Sequence, residues 1–235
     1  MEPTANKAAA RSAGNYPRLL ARRLGARLTD LTVSGATTAT VPEDADLVTI
    51  TVGGNDLNYA SAMFAAGFAG RLSTRRWTRP LRAVLPTATV PEPTEEDLDR
   101  AAAALVRVVI GARDRAPGAR VLLVDYLTVL GPDTRPGPNV PLPQESLAKL
   151  RALGHQVDRL FALAAERTAA ELVPISSLSR DHTLGSSEPW VTGFPPRLRD
   201  LRRIAPFHPN AHGMHAVADA IVRHLDTPRS APGQL

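Results

Sequence analysis

Residues 46–56 read DLVTITVGGND, and the fold class follows from this pattern. The run from Leu47 to Val52 is apolar or β-branched throughout, which is typical of a buried strand in a parallel sheet. Two glycines end the strand in a turn, and Asn55 and Asp56 follow them directly. The sequence therefore predicts polar side chains at the carboxyl end of a buried strand, where parallel sheets place their active sites.

Strands and helices alternate on both sides of this stretch, which predicts an α/β fold with helices on both faces of a parallel sheet. Further strands are expected at Leu28 to Val33, at Arg120 to Asp125 and at Leu172 to Ile175, the last at a sheet edge because it contains a proline. Helices are predicted from Asn15-Tyr16-Pro17 onward, after Asp56 to about Gly67, from Thr94 to about Arg113, from Gln144 to Ala170 and from Pro209 to Leu225.

A single domain is expected over residues 15–227, because the sequence shows neither an internal repeat nor an interdomain linker. Residues 1–14 are polar and rich in alanine and are predicted to be a flexible arm. Residues 228–235 are predicted to be a C-terminal tail.

Composition excludes several classes of function. The 235 residues contain no cysteine, which excludes disulfide scaffolds, thiolate metal sites and cysteine nucleophiles. Apolar runs are too short to span a membrane, and the N-terminus lacks the apolar core of a signal peptide. The chain is therefore expected to be cytoplasmic, although a longer native N-terminus would permit secretion. A monomer is expected.

The net charge of +5 raises the question of an anionic partner. The densest basic stretch, residues 197–203 (RLRDLRR), has no interleaved aromatic residues and belongs to no nucleic-acid-binding motif. It is interpreted as a solvated surface, so no nucleic-acid partner is predicted.

Five segments stand in a fixed order along the chain: RSAGNYPRLLA (11–21), SGATT (34–38), GGND (53–56), PWVTG (189–193) and FHPNAHG (207–213). Together they resemble the SGNH (GDSL-type) hydrolase superfamily, and in particular its actinobacterial lipase/esterase branch. The resemblance implies a three-layer α/β/α fold with a flavodoxin-like sheet. It also implies hydrolysis of carboxylic esters through an acyl-enzyme, without a cofactor or a metal.

The resemblance implies a role for individual residues. The side-chain amide of Asn55 and the backbone N–H of Gly35 would donate to the oxyanion that develops during acyl transfer. His208 would be the general base, and Pro209 would set the turn into the closing helix. Supporting roles in shaping these turns fall to Ser34, Gly53 and Asp56.

Two positions depart from the family pattern. Most members carry an aspartate three residues before the catalytic histidine, and this chain has Ala205 there, so a backbone carbonyl is the alternative partner for the imidazole. The block that supplies the nucleophile, Gly-Asp-Ser on the first strand, is absent, and Ser12 aligns downstream of it. A start codon assigned too late and a genuinely degenerate homologue both explain this absence, and the first explanation is favoured.

Several motifs are interpreted as structural. Gly53 to Asp56 alone is also compatible with a plain strand-to-helix turn. His208, His212 and His215 lie at helical spacing, but no carboxylate joins them, so no metal is predicted. Ser146-x-x-Lys149 lacks the partner motifs of penicillin-recognising enzymes. Trp77 and Trp190 are predicted packing residues, with Trp190 as a possible wall of an acyl pocket, and Ser34 is not favoured as a nucleophile.

The sequence thus predicts a serine ester hydrolase fold for a small-molecule or lipid ester. It predicts little or no activity for this chain because the nucleophile is missing. The alternative is a non-catalytic binding module that keeps an acyl or glycan pocket.

Overall fold

The computed structural model of the chain describes residues 4–6, 11–12, 14–32, 41–73 and 89–227. Predictions that concern Ser34, Gly35, Trp77 or the C-terminal tail lie outside the described residues.

The described strands form a three-stranded parallel sheet and a separate antiparallel pair. In the parallel sheet the order is β3 (Leu47–Ile50), β4 (Arg120–Val124), β5 (Glu171–Val173). The antiparallel pair joins β1 (Thr4–Asn6) to β2 (Arg11–Ser12), within the predicted N-terminal arm. The prediction of an α/β fold with a parallel sheet is confirmed, and β5 lies at an edge among the described strands.

The described helices pack as two groups around the sheet. Helix α1 packs against α6, while α3 and α2 both pack against α4. Within the described residues, none of these helices combines the length and the apolar character that crossing a membrane requires. The helices are α1 (Tyr16–Leu24), α2 (Tyr59–Ser73), α3 (Glu95–Arg115), α4 (Gln144–Thr168), the single turn α5 (Ile175–Leu178) and α6 (Ala211–Asp226).

Two predicted N-caps are confirmed. The Asn15 side chain accepts a hydrogen bond from the backbone N–H of Arg18, and a proline occupies the first turn of α1. Thr94 and Asp97 form a reciprocal capping box at the start of α3. These local signals fix where both helices begin.

The strand predicted at Leu28 to Val33 is wrong for its described residues, 28–32, which form no ladder. The side chain of Asp30 explains the difference. One carboxylate oxygen accepts from the backbone N–H and the hydroxyl of Thr32, and the other accepts from the Asn15 amide. These local bonds give the backbone an alternative to pairing in a sheet.

Helix α2 continues past Gly67, where the sequence predicted its end, to Ser73. The glycines of this helix serve close packing. A Cβ on Gly67 would lie 2.8 Å from the Phe194 ring, and one on Gly70 would collide with the carbonyl oxygen of Pro141. Tertiary contact, and not a helix stop, is therefore the reason for glycine at both positions.

Tyr16 ties helix α1 to strand β3, which carries the Gly-Gly-Asn-Asp turn. Its hydroxyl lies 3.3 Å from the hydroxyl of Thr49 and 3.1 Å from that of Thr51. Burial raises the pKa of Tyr16 above its usual value, while the two threonine hydrogen bonds act in the opposite direction. The phenol therefore stays neutral and holds the end of β3 in place.

Asp125 follows β4 directly and is buried, with 4% of its surface exposed. One of its carboxylate oxygens accepts the backbone N–H of Ser176 at 2.9 Å, and the other accepts the Ser176 hydroxyl at 2.6 Å. Burial raises the pKa of Asp125 to about 6, although the hydrogen bonds from Ser176 favour the ionised form. The carboxyl thus joins the ends of β4 and β5 and titrates within an accessible pH range.

We expect Asp125→Asn to change how stability depends on pH. A carboxyl whose folded-state pKa is about 6 and whose reference value is 3.8 stabilises the fold fully below pH 3.8. That contribution, about 3 kcal/mol, is lost as the pH rises through 6. The free energy of unfolding of wild type relative to Asp125→Asn should therefore fall between about pH 4 and pH 7 in urea titrations.

The matched control is Asp114→Asn, which removes an exposed carboxylate from α3. It should leave the pH dependence of the unfolding free energy unchanged. A wild-type curve parallel to that of Asp125→Asn would contradict the account of this buried carboxyl.

Candidate active site

The Gly-Gly-Asn-Asp segment forms a tight turn between β3 and α2. The Gly53 carbonyl accepts the N–H of Asp56 at 3.0 Å, and the Gly54 carbonyl accepts the N–H of Tyr59 at 3.0 Å. Gly53 has a φ of 109°, a conformation that L side chains rarely adopt. The turn therefore requires glycine at this position and sets the direction in which Asn55 projects.

Tyr126, just beyond β4, supports the turn from the neighbouring strand. The N–H of Gly54 donates to its hydroxyl at 3.3 Å, and a Cβ on Gly54 would lie 3.1 Å from its ring. The second glycine is thus explained by the close approach of an aromatic ring. Burial raises the pKa of Tyr126, so this hydroxyl remains protonated at neutral pH.

Asn55 and Asp56 are both exposed at the tip of the turn. Within the described residues, their side chains make no hydrogen bond, and only their backbone groups take part in the turn. The Asn55 amide is therefore able to donate to a ligand, whereas Asp56 contributes to the turn through its backbone N–H.

His208 lies on the second candidate segment, just before α6. Its Nδ1 atom lies 2.9 Å from the carbonyl oxygen of Pro206. A carbonyl only accepts, so Nδ1 carries the proton in the neutral ring and Nε2 presents a lone pair. Because Ala205 stands where most family members have an aspartate, a backbone carbonyl is the expected partner of the imidazole. The Pro206 carbonyl is such a partner.

The backbone around His208 is held by an antiparallel contact with Thr192. The Thr192 N–H donates to the His208 carbonyl at 2.8 Å, and the Phe207 N–H donates to the Thr192 carbonyl at 2.7 Å. Phe207 has a φ of 63°, in the left-handed region that is unfavourable for a bulky residue. Packing and these two hydrogen bonds maintain that conformation directly before the histidine.

Asn210 anchors the segment to helix α6. Its side-chain oxygen accepts the N–H of Gly213 at 3.0 Å as an N-cap, and its amide donates to the Pro189 carbonyl at 2.6 Å. A Cβ on Gly213 would collide with the carbonyl oxygen of Trp190, so glycine allows α6 to start this close. Pro209 pairs with Val191 in an isolated bridge, at the turn predicted from the sequence.

A row of phenylalanine rings connects the His208 segment to helix α2. Ring centroids are 5.8 Å apart for Phe207 and Phe194, 6.1 Å for Phe194 and Phe64, and 6.3 Å for Phe64 and Phe68. Helix α2, which begins at the Gly-Gly-Asn-Asp turn, is thereby packed against the His208 segment. This cluster is not among the residues predicted from the sequence, although Phe64 and Phe68 stand at helical i, i+4 spacing.

The remaining sequence candidates lie elsewhere. Ser34 and Gly35 are outside the described residues, and no described hydrogen bond joins Asn55 to His208. The Trp190 ring stacks on His182, with a centroid distance of 3.8 Å. In the described part of the chain, no group of three histidine, aspartate or glutamate side chains is arranged to hold a metal.

We expect Asn210→Ala to loosen the His208 segment, since it removes an N-cap and the bond to Pro189. The cost should be about 1–2 kcal/mol in free energy of unfolding. Thr94→Ala, which removes the cap of the distant helix α3, should cost about 1 kcal/mol. Amide hydrogen exchange at Thr192 and Phe207 should accelerate only in Asn210→Ala. Equal acceleration in both variants would contradict this assignment.

The chain is similar to known proteins over most of its length. Residues 3–216 match the GDSL-like Lipase/Acylhydrolase family. Lipase 2 of Streptomyces coelicolor is 33% identical over 233 residues, covering 92% of this chain and 77% of that protein. The crystal structure of an extracellular lipase from Streptomyces rimosus matches with a TM-score of 0.67 at 22% identity, covering 96% of this chain and 93% of that one. Phospholipase A1 from Streptomyces albidoflavus NA297 matches with the same TM-score and coverage at 17% identity. The chain therefore belongs to the GDSL-like lipase/acylhydrolase family and has the fold of the Streptomyces SGNH lipases.

Proposed function

We propose that this site is built for hydrolysis of carboxylic esters through an acyl-enzyme, with His208 as the general base. The observation that supports it most is the hydrogen bond between His208 Nδ1 and the Pro206 carbonyl. It orients the ring and leaves Nε2 as the proton acceptor for a serine hydroxyl. The carbonyl thus takes the positioning role that an aspartate has in a catalytic triad.

Asn55 is proposed as an oxyanion donor. Its amide is exposed at the end of β3, and no described side chain competes for it. A donor already held by a rigid turn needs no reorganisation when negative charge develops on the substrate oxygen. Gly35 is proposed as the second donor on the family resemblance alone. Ser34, Gly53, Asp56 and Pro209 are proposed to shape the surrounding turns.

The nucleophile is the catalytic group for which no residue of this chain is proposed. The 235 residues contain no Gly-Asp-Ser, and the hydrogen bond described for the His208 ring is to the Pro206 carbonyl. The hydroxyl of the buried Ser176 is committed to another partner, Asp125. We therefore propose that the chain as given has little or no esterase activity.

The proposed substrate is a small-molecule or lipid ester. The match to an extracellular Streptomyces lipase supports export from the cell as part of the proposal. The second candidate function is a non-catalytic binding module, favoured by the absence of Gly-Asp-Ser. The two proposals differ in what happens when a nucleophile is supplied.

The test compares two forms of the chain with p-nitrophenyl butyrate as substrate. The chain as given should hydrolyse it at close to the uncatalysed rate. A form preceded by the family's first strand with its Gly-Asp-Ser block should show turnover. In that form, His208→Ala should reduce kcat by at least about a thousandfold, and Asn55→Ala by about a hundredfold or more.

His212→Ala is the matched control, because this histidine is exposed four residues further on and should not affect turnover. An extended form that folds but shows no turnover would overturn the hydrolase proposal and favour the binding module. Turnover by the chain as given, abolished by His208→Ala, would overturn the proposal that it lacks a nucleophile.

A further inference from the structure

One face of helix α2 exposes aromatic side chains beside the His208 segment. Phe64 and Phe68 are 42% and 37% exposed, and their rings stack at 6.3 Å with an interplanar angle of 17°. From Leu57 to Gly70 the chain carries no charged residue. Large exposed aromatic residues on an uncharged helix face are costly in water and often mark an interaction surface.

A basic loop begins and ends beside this face. Residues 195–206 leave the core after Phe194 and return at Phe207, and these two rings are 5.8 Å apart. The loop therefore starts and ends at the row of phenylalanines that contains Phe64. It carries four arginines and a single aspartate, and its middle forms the 3₁₀ helix Leu198–Arg202.

The arginines of this loop are exposed and largely uncompensated. Among the described residues, the side chains of Arg197, Arg202 and Arg203 form no ion pair, and Arg199 approaches Asp200 only at 4.0 Å. Elsewhere many arginines are paired, as in the bidentate contact between Arg159 and Glu95. Fixed positive charge without local partners attracts anions from solution.

Helix α2 also secures the root of the loop. The Arg71 guanidinium donates to the carbonyl oxygen of Phe194 at 3.4 Å and lies 5.8 Å from the centre of the Phe194 ring. Gly67 lets the same helix approach Phe194 and Phe207 closely. The apolar face and the basic loop are thus attached to one rigid scaffold next to His208.

We propose that the exposed face of α2 with Phe64 and Phe68, together with the loop Arg197–Arg203, is a docking surface for an anionic lipid interface. Aromatic rings enter the headgroup boundary of a membrane, and guanidinium groups bind lipid phosphates. A nucleic-acid partner would use the arginines but gives no reason for the uncharged helix face. The inference rests on the proposed function, because docking here would deliver a lipid ester next to His208.

The test uses vesicles of ether-linked lipids, which contain no hydrolysable ester, so binding is measured independently of catalysis. Co-sedimentation of the folded chain should be stronger with phosphatidylcholine vesicles that contain phosphatidylglycerol than with phosphatidylcholine alone. Increasing salt should weaken the difference, because it screens the arginine charges. This readout remains valid even if no form of the chain hydrolyses esters.

Paired variants locate the surface. Arg202→Gln/Arg203→Gln should weaken partitioning onto the anionic vesicles by about tenfold or more at low salt. The control Arg107→Gln/Arg223→Gln removes two exposed arginines from α3 and α6 and should have a much smaller effect.

Phe68→Ser should weaken binding to both kinds of vesicle by about fivefold or more. Ile110→Ser, at a residue on α3 that is 48% exposed, should not.

Circular dichroism establishes that each variant is folded. The proposal would be overturned if the surface variants and their controls lost vesicle binding equally. Binding that does not depend on vesicle charge would also overturn it. The proposal would also be overturned if the chain bound DNA and not vesicles, and if Arg202→Gln/Arg203→Gln abolished the DNA binding. That result would favour a nucleic-acid surface. Loss of vesicle binding confined to the Arg202/Arg203 and Phe68 variants would support it, whatever the outcome of the ester assay.

Discussion

The hydrogen bond between His208 Nδ1 and the Pro206 carbonyl is the contact on which the candidate site depends. It joins two residues of one short turn, so the imidazole orientation follows from the backbone path. That path includes Phe207 in the left-handed region, an uncommon conformation for a phenylalanine. Paired hydrogen bonds with Thr192 and the contact with the Phe194 ring maintain it. A carbonyl partner carries no negative charge, so it orients the ring without the electrostatic support that an aspartate gives.

The rest of the fold links this turn to helix α2, which follows the Gly-Gly-Asn-Asp turn. Helix α6 starts directly behind His208 because Asn210 caps it and Gly213 admits the Trp190 carbonyl. Helix α2 starts at the other turn and reaches the histidine segment through Gly67 and the phenylalanine row. Parallel strands place the turns that follow them at one edge of the sheet, and close packing at Gly67 sets how near α2 comes to the histidine segment. The contacts that stabilise the fold therefore also set the geometry around His208.

The sequence predicted the features that local chemistry decides. Strand β3, the Asn15 cap and the Thr94 capping box are confirmed, because each rests on residues close in sequence. The strand expected at Leu28 to Val33 is wrong for its described residues, 28–32, because Asp30 bonds to the distant Asn15 as well as to Thr32. The end of α2 and the row of phenylalanines depend on contacts between residues far apart in sequence, which periodicity does not reveal. The roles of Gly35 and Ser34 remain predictions from family resemblance.

The tautomer of His208 shows whether the Pro206 carbonyl orients the imidazole. Long-range ¹H–¹⁵N correlation spectra distinguish a protonated from an unprotonated ring nitrogen. They are recorded on the folded chain at a pH where the imidazole is neutral. The account predicts a protonated Nδ1, since the Pro206 carbonyl only accepts, and an unprotonated Nε2 ready to take a proton. A neutral ring with its proton on Nε2, or one exchanging freely between both forms, would show that the Pro206 carbonyl does not hold the imidazole.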